Sequence, residues 1–97
     1  MKKLLTILCL VLLVSCSNEV PSDKLVERQG ITYEVNSTTP FTGSSVIYYE
    51  NGELKTRENF IDGKLDGLYE GYEDDGSFFF KNCYKNDKKV DMSYCED

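Results

Sequence analysis

The chain contains no histidine. A Ser-His or Cys-His nucleophile pair needs an imidazole to accept the proton, so both kinds of catalytic site are excluded. A closed zinc site needs four ligands, and the two cysteines near the C-terminus, Cys83 and Cys95, do not supply them without imidazole. The sequence also lacks a calcium loop with spaced aspartates and a glycine-rich phosphate loop. We therefore predict that the protein is not an enzyme and binds no metal ion or diffusible cofactor.

Carboxylates are abundant, but their placement argues against catalysis. Glu70, Glu73, Asp74 and Asp75 surround an expected turn, where solvated acids are common. A pair of carboxylates that cleaves a glycosidic bond needs a cleft between its members. The thin sheet predicted below is a poor builder of clefts.

Basic residues are scarce. Eleven lysines and arginines stand against seventeen acidic residues, so the net charge is −6. Binding of DNA or RNA needs clustered basic residues that displace counterions, and a polybasic membrane contact needs them too. The composition excludes both and leaves two interpretations: a solvated acidic surface, or a surface that meets a basic protein partner.

No hydrophobic run is long enough to span a bilayer. Residues 4–14 form one apolar stretch, which as a helix covers about 16 Å against the about 30 Å of a hydrocarbon core. Two lysines precede this stretch and small residues follow it, which is the layout of a secretory signal. We predict that residues 1–15 are a cleaved signal peptide.

The end of the signal resembles the lipobox of bacterial lipoproteins, on the residues Leu13, Val14, Ser15 and Cys16. The resemblance implies that Cys16 becomes the new N-terminus, carrying covalent diacylglycerol and N-acyl lipid. An ordinary cleaved signal peptide is the alternative. Ser17 stands where an aspartate would favour the inner membrane, so we expect a lipid anchor in the outer membrane, facing the periplasm of the cell envelope.

The mature chain divides into a tether and one small domain. Residues 16–24 have the polar composition of a flexible tether, and residues 25–97 are predicted to form the domain. Disulfides persist in exported proteins, so the remaining pair, Cys83 and Cys95, predicts a bridge. Free thiols are the alternative.

Short alternating runs, typical of β-strands, fill the domain, and no helical period follows the signal. Between the runs lie the turn pairs Asn51-Gly52, Asp62-Gly63 and Asp75-Gly76, which favour two-residue hairpins with positive φ at both residues. The pattern predicts an all-β, antiparallel meander.

The turns recur every 24 residues. Four glycine, tyrosine and lysine positions reappear at this spacing, namely Gly43, Tyr48, Gly52 and Lys64 with Gly67, Tyr72, Gly76 and Lys88. Because the identities fall on turns and core positions, we interpret them as a true repeat over residues 41–64 and 65–88, with a partial third copy over 89–97.

The repeat resembles the bacterial MORN-repeat-variant family. The matching motifs are Phe41-Thr42-Gly43, then Tyr48-Tyr49-Glu50-Asn51-Gly52, then Asp62-Gly63-Lys64-Leu65-Asp66-Gly67. The second unit departs from this pattern because Asn86-Asp87-Lys88 lacks the glycine, so we expect its turns to differ in detail. The resemblance implies β-hairpin repeats that form an elongated, twisted single sheet.

This family includes antitoxin-like proteins and lipoproteins without an assigned role. The resemblance implies a membrane-anchored, non-catalytic module that binds another protein in the cell envelope. The alternative is an antitoxin or immunity protein that neutralises a toxin.

Aromatic residues are the strongest indication of a contact site. All twelve lie from residue 33 onward, and most are expected to stack along one face of the sheet. Strand alternation places Phe79 opposite Phe78 and Phe80. We predict Tyr49 and Phe79, at corresponding hairpin ends, as the partner contact.

Overall fold

A computed structural model describes residues 18–96 of the chain. The predicted signal over 1–15 and the predicted lipidation site, Cys16, lie outside the described residues. Eight strands and two short 3₁₀ helices, Ser22–Lys24 and Met92–Cys95, make up the fold. The strands are β1 (Glu19–Pro21), β2 (Leu25–Arg28), β3 (Ile31–Glu34), β4 (Gly43–Tyr48), β5 (Leu54–Ile61), β6 (Lys64–Tyr72), β7 (Phe78–Lys85) and β8 (Lys88–Val90). The prediction of a mostly β protein is confirmed.

The strands form two sheets, not the single sheet that was predicted. Six strands pair in the order β1-β4-β5-β6-β7-β8, and β2 and β3 form a separate hairpin. The larger sheet is mixed, because β1 runs parallel to β4 and all the other neighbouring strands of this sheet are antiparallel. The predicted elongated shape is also wrong, since the extents are 50 × 35 × 32 Å. Residues 18–96 contain two full repeats, and the β2–β3 hairpin folds back over the sheet instead of lengthening it.

The segment predicted as a flexible tether contains the first strand. Glu19, Val20 and Pro21 pair with Ser44, Ser45 and Val46. The amide of Ser44 donates a hydrogen bond of 2.9 Å to the carbonyl of Asn18, and Arg57 contacts Glu19 at 2.5 Å. These contacts give a polar segment backbone partners and a charge partner, so residues 19–24 belong to the folded domain.

The 24-residue spacing of the sequence reappears in the strand register. Tyr48 pairs with Leu54 in the first hairpin, and Tyr72 pairs with Phe78 in the second. The register shift after Ile47 recurs after Gly71. The two hairpins are therefore structurally equivalent along their whole length, although the sequences of their turns differ.

Two kinds of turn connect the strands. Asp62 and Gly63 have φ of 50° and 83°, and Asn86 and Asp87 have 49° and 70°, as two-residue type I′ turns require. The second unit thus keeps the turn type despite lacking the glycine, because asparagine and aspartate tolerate the left-handed region.

The prediction of two-residue turns at Asn51-Gly52 and Asp75-Gly76 is wrong. Of these four residues only the glycines have positive φ, at 92° and 89°. The amide of Tyr49 donates a hydrogen bond of 2.8 Å to the carbonyl of Glu53, so the turn contains the three residues between them. Asn51 accepts a bond of 2.9 Å from the amide of Glu53, and this side-chain cap stabilises the longer turn.

The two faces of the larger sheet are covered differently. The face that carries Ser45, Glu58 and Tyr69 lies against the β2–β3 hairpin, and we call it the hairpin face. Aromatic contacts support it, with ring centroids 5.1 Å apart for Tyr69 and Phe80. The opposite face carries Val46, Arg57, Glu70 and Lys81. We call it the disulfide face.

The predicted Cys83–Cys95 disulfide is confirmed. Its Cα atoms are 6.0 Å apart, and Cys83 is fully buried. The bridge holds the C-terminal 3₁₀ helix on the disulfide face. Next to it, the Tyr94 hydroxyl donates a hydrogen bond of 2.8 Å to Asp66.

Candidate functional site

The two three-residue turns lie side by side at one end of the larger sheet. We call residues 49–53 and 73–77 the acidic turns, because they hold five carboxylates: Glu50, Glu53, Glu73, Asp74 and Asp75. Asn51 links the turns by donating a hydrogen bond of 2.7 Å to the carbonyl of Asp74. Asp75 accepts bonds from the amide and hydroxyl of Ser77, which lower the pKa of its carboxyl. Negative charge is therefore concentrated and ordered at this end.

Exposed apolar side chains border the acidic turns. Tyr48, Phe78 and Phe79 expose 53%, 60% and 64% of their surface. Burial of an exposed aromatic side chain is a main source of binding energy in protein interfaces. We call these three residues the aromatic edge of the acidic turns.

Phe79 occupies a β-bulge. Gly71 pairs with Phe80 and Tyr72 pairs with Phe78, so Phe79 has no partner in the register. Its ring lies edge-on to Phe80 with centroids 5.6 Å apart. The prediction that Phe79 points away from Phe80 is therefore wrong, because the bulge interrupts the alternation of the strand. Lys55 holds the equivalent position in the first hairpin.

Tyr49 is tied to the fold more firmly than Phe79. Its hydroxyl donates a hydrogen bond of 2.8 Å to the carbonyl of Tyr72, and Lys55 lies over its ring at 5.5 Å. Partial burial, together with the nearby carboxylates of Glu73 and Asp74, raises the pKa of the Tyr49 hydroxyl. Tyr49 directly follows β4 and Phe79 lies in β7, so the two residues lie at the same end of the sheet but not next to each other. The structure places Phe79 on the exposed surface and makes Tyr49 a link between the two hairpins.

A charged network on the disulfide face supports this end. Glu70 is buried and accepts a hydrogen bond of 2.7 Å from the Tyr72 hydroxyl. Arg57 lies 3.9 Å from Glu70 and also pairs with Glu19. The bond to Glu70 raises the pKa of Tyr72. The network joins β1, β5 and β6 and fixes Tyr72 beside the acidic turns.

A second concave region lies between the hairpin face and the β2–β3 hairpin. It is an open cleft of about 420 Å³, bordered by Glu58, Phe60, Leu65 and residues of both strands of the hairpin. Burial raises the pKa of the Glu58 carboxyl. No hydrogen bond or ion pair involves that carboxyl among residues 18–96, so its negative charge is uncompensated.

Replacing Glu58 with glutamine should stabilise the protein at neutral pH. A carboxyl whose pKa is raised by folding binds more protons when folded, so the free energy of unfolding falls as the pH rises through that raised value. Glutamine removes this loss, and the gain should vanish below about pH 4, where the folded and unfolded states both hold a protonated carboxyl. Thermal melts from pH 3 to 8 measure the effect. The solvent-exposed Glu27→Gln variant is the control, and an equal gain at all pH values would contradict the explanation.

Sequence reasoning missed several residues of this end. The alternating pattern predicts neither the exposure of Tyr48 and Phe78 nor the bulges at Lys55 and Phe79. The sequence contains a signal for the bulges, because Lys55 and Phe79 are 24 residues apart and so occupy the same position of the repeat. Within residues 18–96 no three cysteine, aspartate or glutamate side chains come together as a metal site. Nor does this part of the chain include a helix long and apolar enough to cross a membrane.

The fold and this end of it define a β-sheet domain with an exposed aromatic and acidic surface. Comparison of the chain with known protein families, curated proteins and solved structures finds no match.

Proposed function

We propose that the protein is a non-catalytic binding module whose aromatic edge and acidic turns contact a basic protein. One observation carries the proposal: the most exposed aromatic side chain, Phe79, stands beside a group of five carboxylates on linked turns. Aromatic side chains supply contact area, and the carboxylates favour a partner of opposite charge. The MORN-repeat-variant resemblance supports a repeat domain that binds proteins.

The second part of the proposal concerns location. The lipobox-like residues that end in Cys16 support a module anchored by lipid in the cell envelope, most simply the outer membrane facing the periplasm. Metabolic labelling with palmitate tests this part separately. A Cys16→Ala variant should take up no label, and retained label would refute the anchor.

Site-specific photocrosslinking tests the contact surface. A photoreactive residue in place of Phe79 should capture a specific protein in the native envelope. The same residue in place of Val35, which is 49% exposed on the separate hairpin, should not. The captured protein, once identified, should bind the purified chain more weakly at high salt, because exposed charge pairs are screened. Equal capture at both positions would refute the assignment of the surface.

Alanine at Phe79 should weaken binding without affecting the fold. Because the side chain is largely exposed, its removal should change the free energy of unfolding by less than about 0.5 kcal/mol. Loss of an interface aromatic should weaken binding of the captured partner by about tenfold or more. Tyr49→Phe is the matched comparison: it removes the hydrogen bond to Tyr72 and should cost about 1 kcal/mol of stability. Calorimetry and chemical denaturation measure both quantities, and unfolding by Phe79→Ala would instead place that ring in the core.

An antitoxin or immunity protein is the second candidate, favoured by the same acidic turns if the basic partner is a toxin. Gene deletion separates the two. A housekeeping module should be dispensable alone, whereas an antitoxin gene should be lost only together with the gene of its toxin.

A further inference from the structure

The outer edge of β7 is open where the equivalent edge of β5 is paired. In the first repeat β6 pairs with β5 from Thr56 to Ile61, with Thr56, Arg57 and Glu58 opposite Gly71, Glu70 and Tyr69. The equivalent residues of β7 are Phe80, Lys81 and Asn82. On its outer side β7 pairs only at Cys83, Tyr84 and Lys85, with β8. Within residues 18–96 no strand occupies the remaining position.

The third repeat stops short because the chain leaves the sheet. Val90 is the last residue of β8, and Met92–Cys95 then forms the 3₁₀ helix that the disulfide holds against Cys83. Residues 93–95 lie 24 positions after residues 69–71, a part of β6 that pairs with β5. In a complete third repeat they would therefore pair with β7. The disulfide thus holds the C-terminal segment away from the edge that it would otherwise cover.

The open edge presents backbone groups for pairing. Lys85 and Lys88 flank a two-residue turn, so their backbone groups face each other across it. The direction in which backbone groups point alternates along a strand. Lys81 lies four residues before Lys85, so its N–H and C=O groups point to the same side of β7 as those of Lys85, away from β6. Exposed backbone groups of this kind template the addition of a strand. Phe78 and Phe79 lie at the end of the same edge and are largely exposed.

We propose that this edge accepts an extended segment of the partner protein as an added antiparallel strand. The inference rests on the proposed function and specifies its mode of binding. The first repeat sets the register, so the added strand carries an acidic residue opposite Lys81, as Glu70 lies opposite Arg57. Its C-terminal end runs towards the acidic turn over 73–77 and carries basic residues there. The ligand is therefore a short extended peptide with an acidic residue followed, two to four positions later, by lysine or arginine.

A synthetic peptide with the β6 sequence Lys64–Tyr72 and two lysines added at its C-terminus is a direct probe. Binding to the purified full-length chain can be followed by fluorescence anisotropy and by amide chemical shifts. We expect saturable binding, with shifts concentrated on residues 78–82. A peptide that fails to bind, or shifts that centre on the cleft of Glu58, would overturn the proposal.

Backbone methylation of the probe supplies matched controls. Methylation of the amide that corresponds to Glu70 blocks hydrogen bonding to Lys81 and should weaken binding at least tenfold. The adjacent amide, which corresponds to Gly71, faces away from β7, so its methylation should change affinity less than twofold. Equal effects of the two methyl groups would show that binding does not use the edge.

The variant Lys81→Pro removes the outward N–H at an edge position where proline is tolerated. It should abolish peptide binding while the melting curve stays cooperative; the methylated peptides decide the question if this variant fails to fold. Self-association in sedimentation that Lys81→Pro removes would assign the edge to a second copy and overturn the proposal. Unchanged crosslinking at Phe79 in the Lys81→Pro variant would refute strand addition while leaving the proposed function intact.

Discussion

Replacing Cys95 with serine should lower the free energy of unfolding by on the order of 2–3 kcal/mol. The bridge spans a sequence separation of 12 residues, and closing a loop of this size restricts the unfolded chain by about that amount. The folded state loses a further constraint, because the 3₁₀ helix at Met92–Cys95 would be held only by its non-covalent contacts with β6 and β7, which include the bond from Tyr94 to Asp66. The buried Cys83 thiol that remains packs as a small apolar group.

Denaturant titrations measure this effect. Tyr94→Phe is the control, since it removes one exposed hydrogen bond and keeps the bridge, and it should cost about 1 kcal/mol or less. Because Cys83 is fully buried, a reductant should break the bridge only when the local structure opens. A Cys95→Ser midpoint equal to that of the wild type would contradict the stabilising role of the bridge.

Alanine at Gly63 should destabilise the protein by roughly 2–5 kcal/mol. Gly63 has a φ of 83°, and a left-handed residue with a side chain costs about 1–2 kcal/mol. The added methyl group would also overlap the Ile31 side chain and lie 3.0 Å from the carbonyl of Thr32. Overpacking of this kind costs a further 1–3 kcal/mol, roughly. The turn is held on both sides, because the Gly63 amide donates to Phe41 and its carbonyl accepts from Thr32.

Gly30→Ala is the matched control. Gly30 has nearly the same φ, 82°, in the same kind of turn, but among residues 18–96 no atom beyond its immediate chain neighbours lies within 4 Å of an added methyl group. The difference between the two variants therefore isolates the packing of the β2–β3 hairpin on the sheet. Equal destabilisation in thermal and chemical melts would show that this hairpin is not docked at Gly63.

The features that could be predicted from the sequence are local or repeated. The strand pattern and the Asp62-Gly63 turn depend on a few adjacent residues, and the spacing of 24 residues reports a unit that occurs twice. The Cys83–Cys95 pair is predicted by counting the cysteines that remain once residues 1–16 are read as a lipoprotein signal and its lipidated cysteine. Each of these predictions needs only short-range chemistry or a comparison of the chain with itself.

The features that could not be predicted depend on contacts made at a distance. The first strand is only three residues long and ends in Pro21, and it forms because β4 offers a free edge and Arg57 pairs with Glu19. The Asn51-Gly52 turn is longer than expected because the Asn51 side chain caps it. The exposure of Phe79 follows from a bulge whose position requires the register of the neighbouring strand.

The entry of β1 gives the domain a polarity. Asn18 lies beside Ser44, at the start of β4, whereas the acidic turns begin where β4 ends. With Cys16 acylated as proposed, Ser17 alone separates the lipid-bearing residue from Asn18, which limits the distance between the Cα atoms of Cys16 and Asn18 to about 7 Å. The bilayer would then lie at one end of the molecule and the aromatic edge at the other. A partner would approach from the aqueous side and meet Phe79 before it met the membrane.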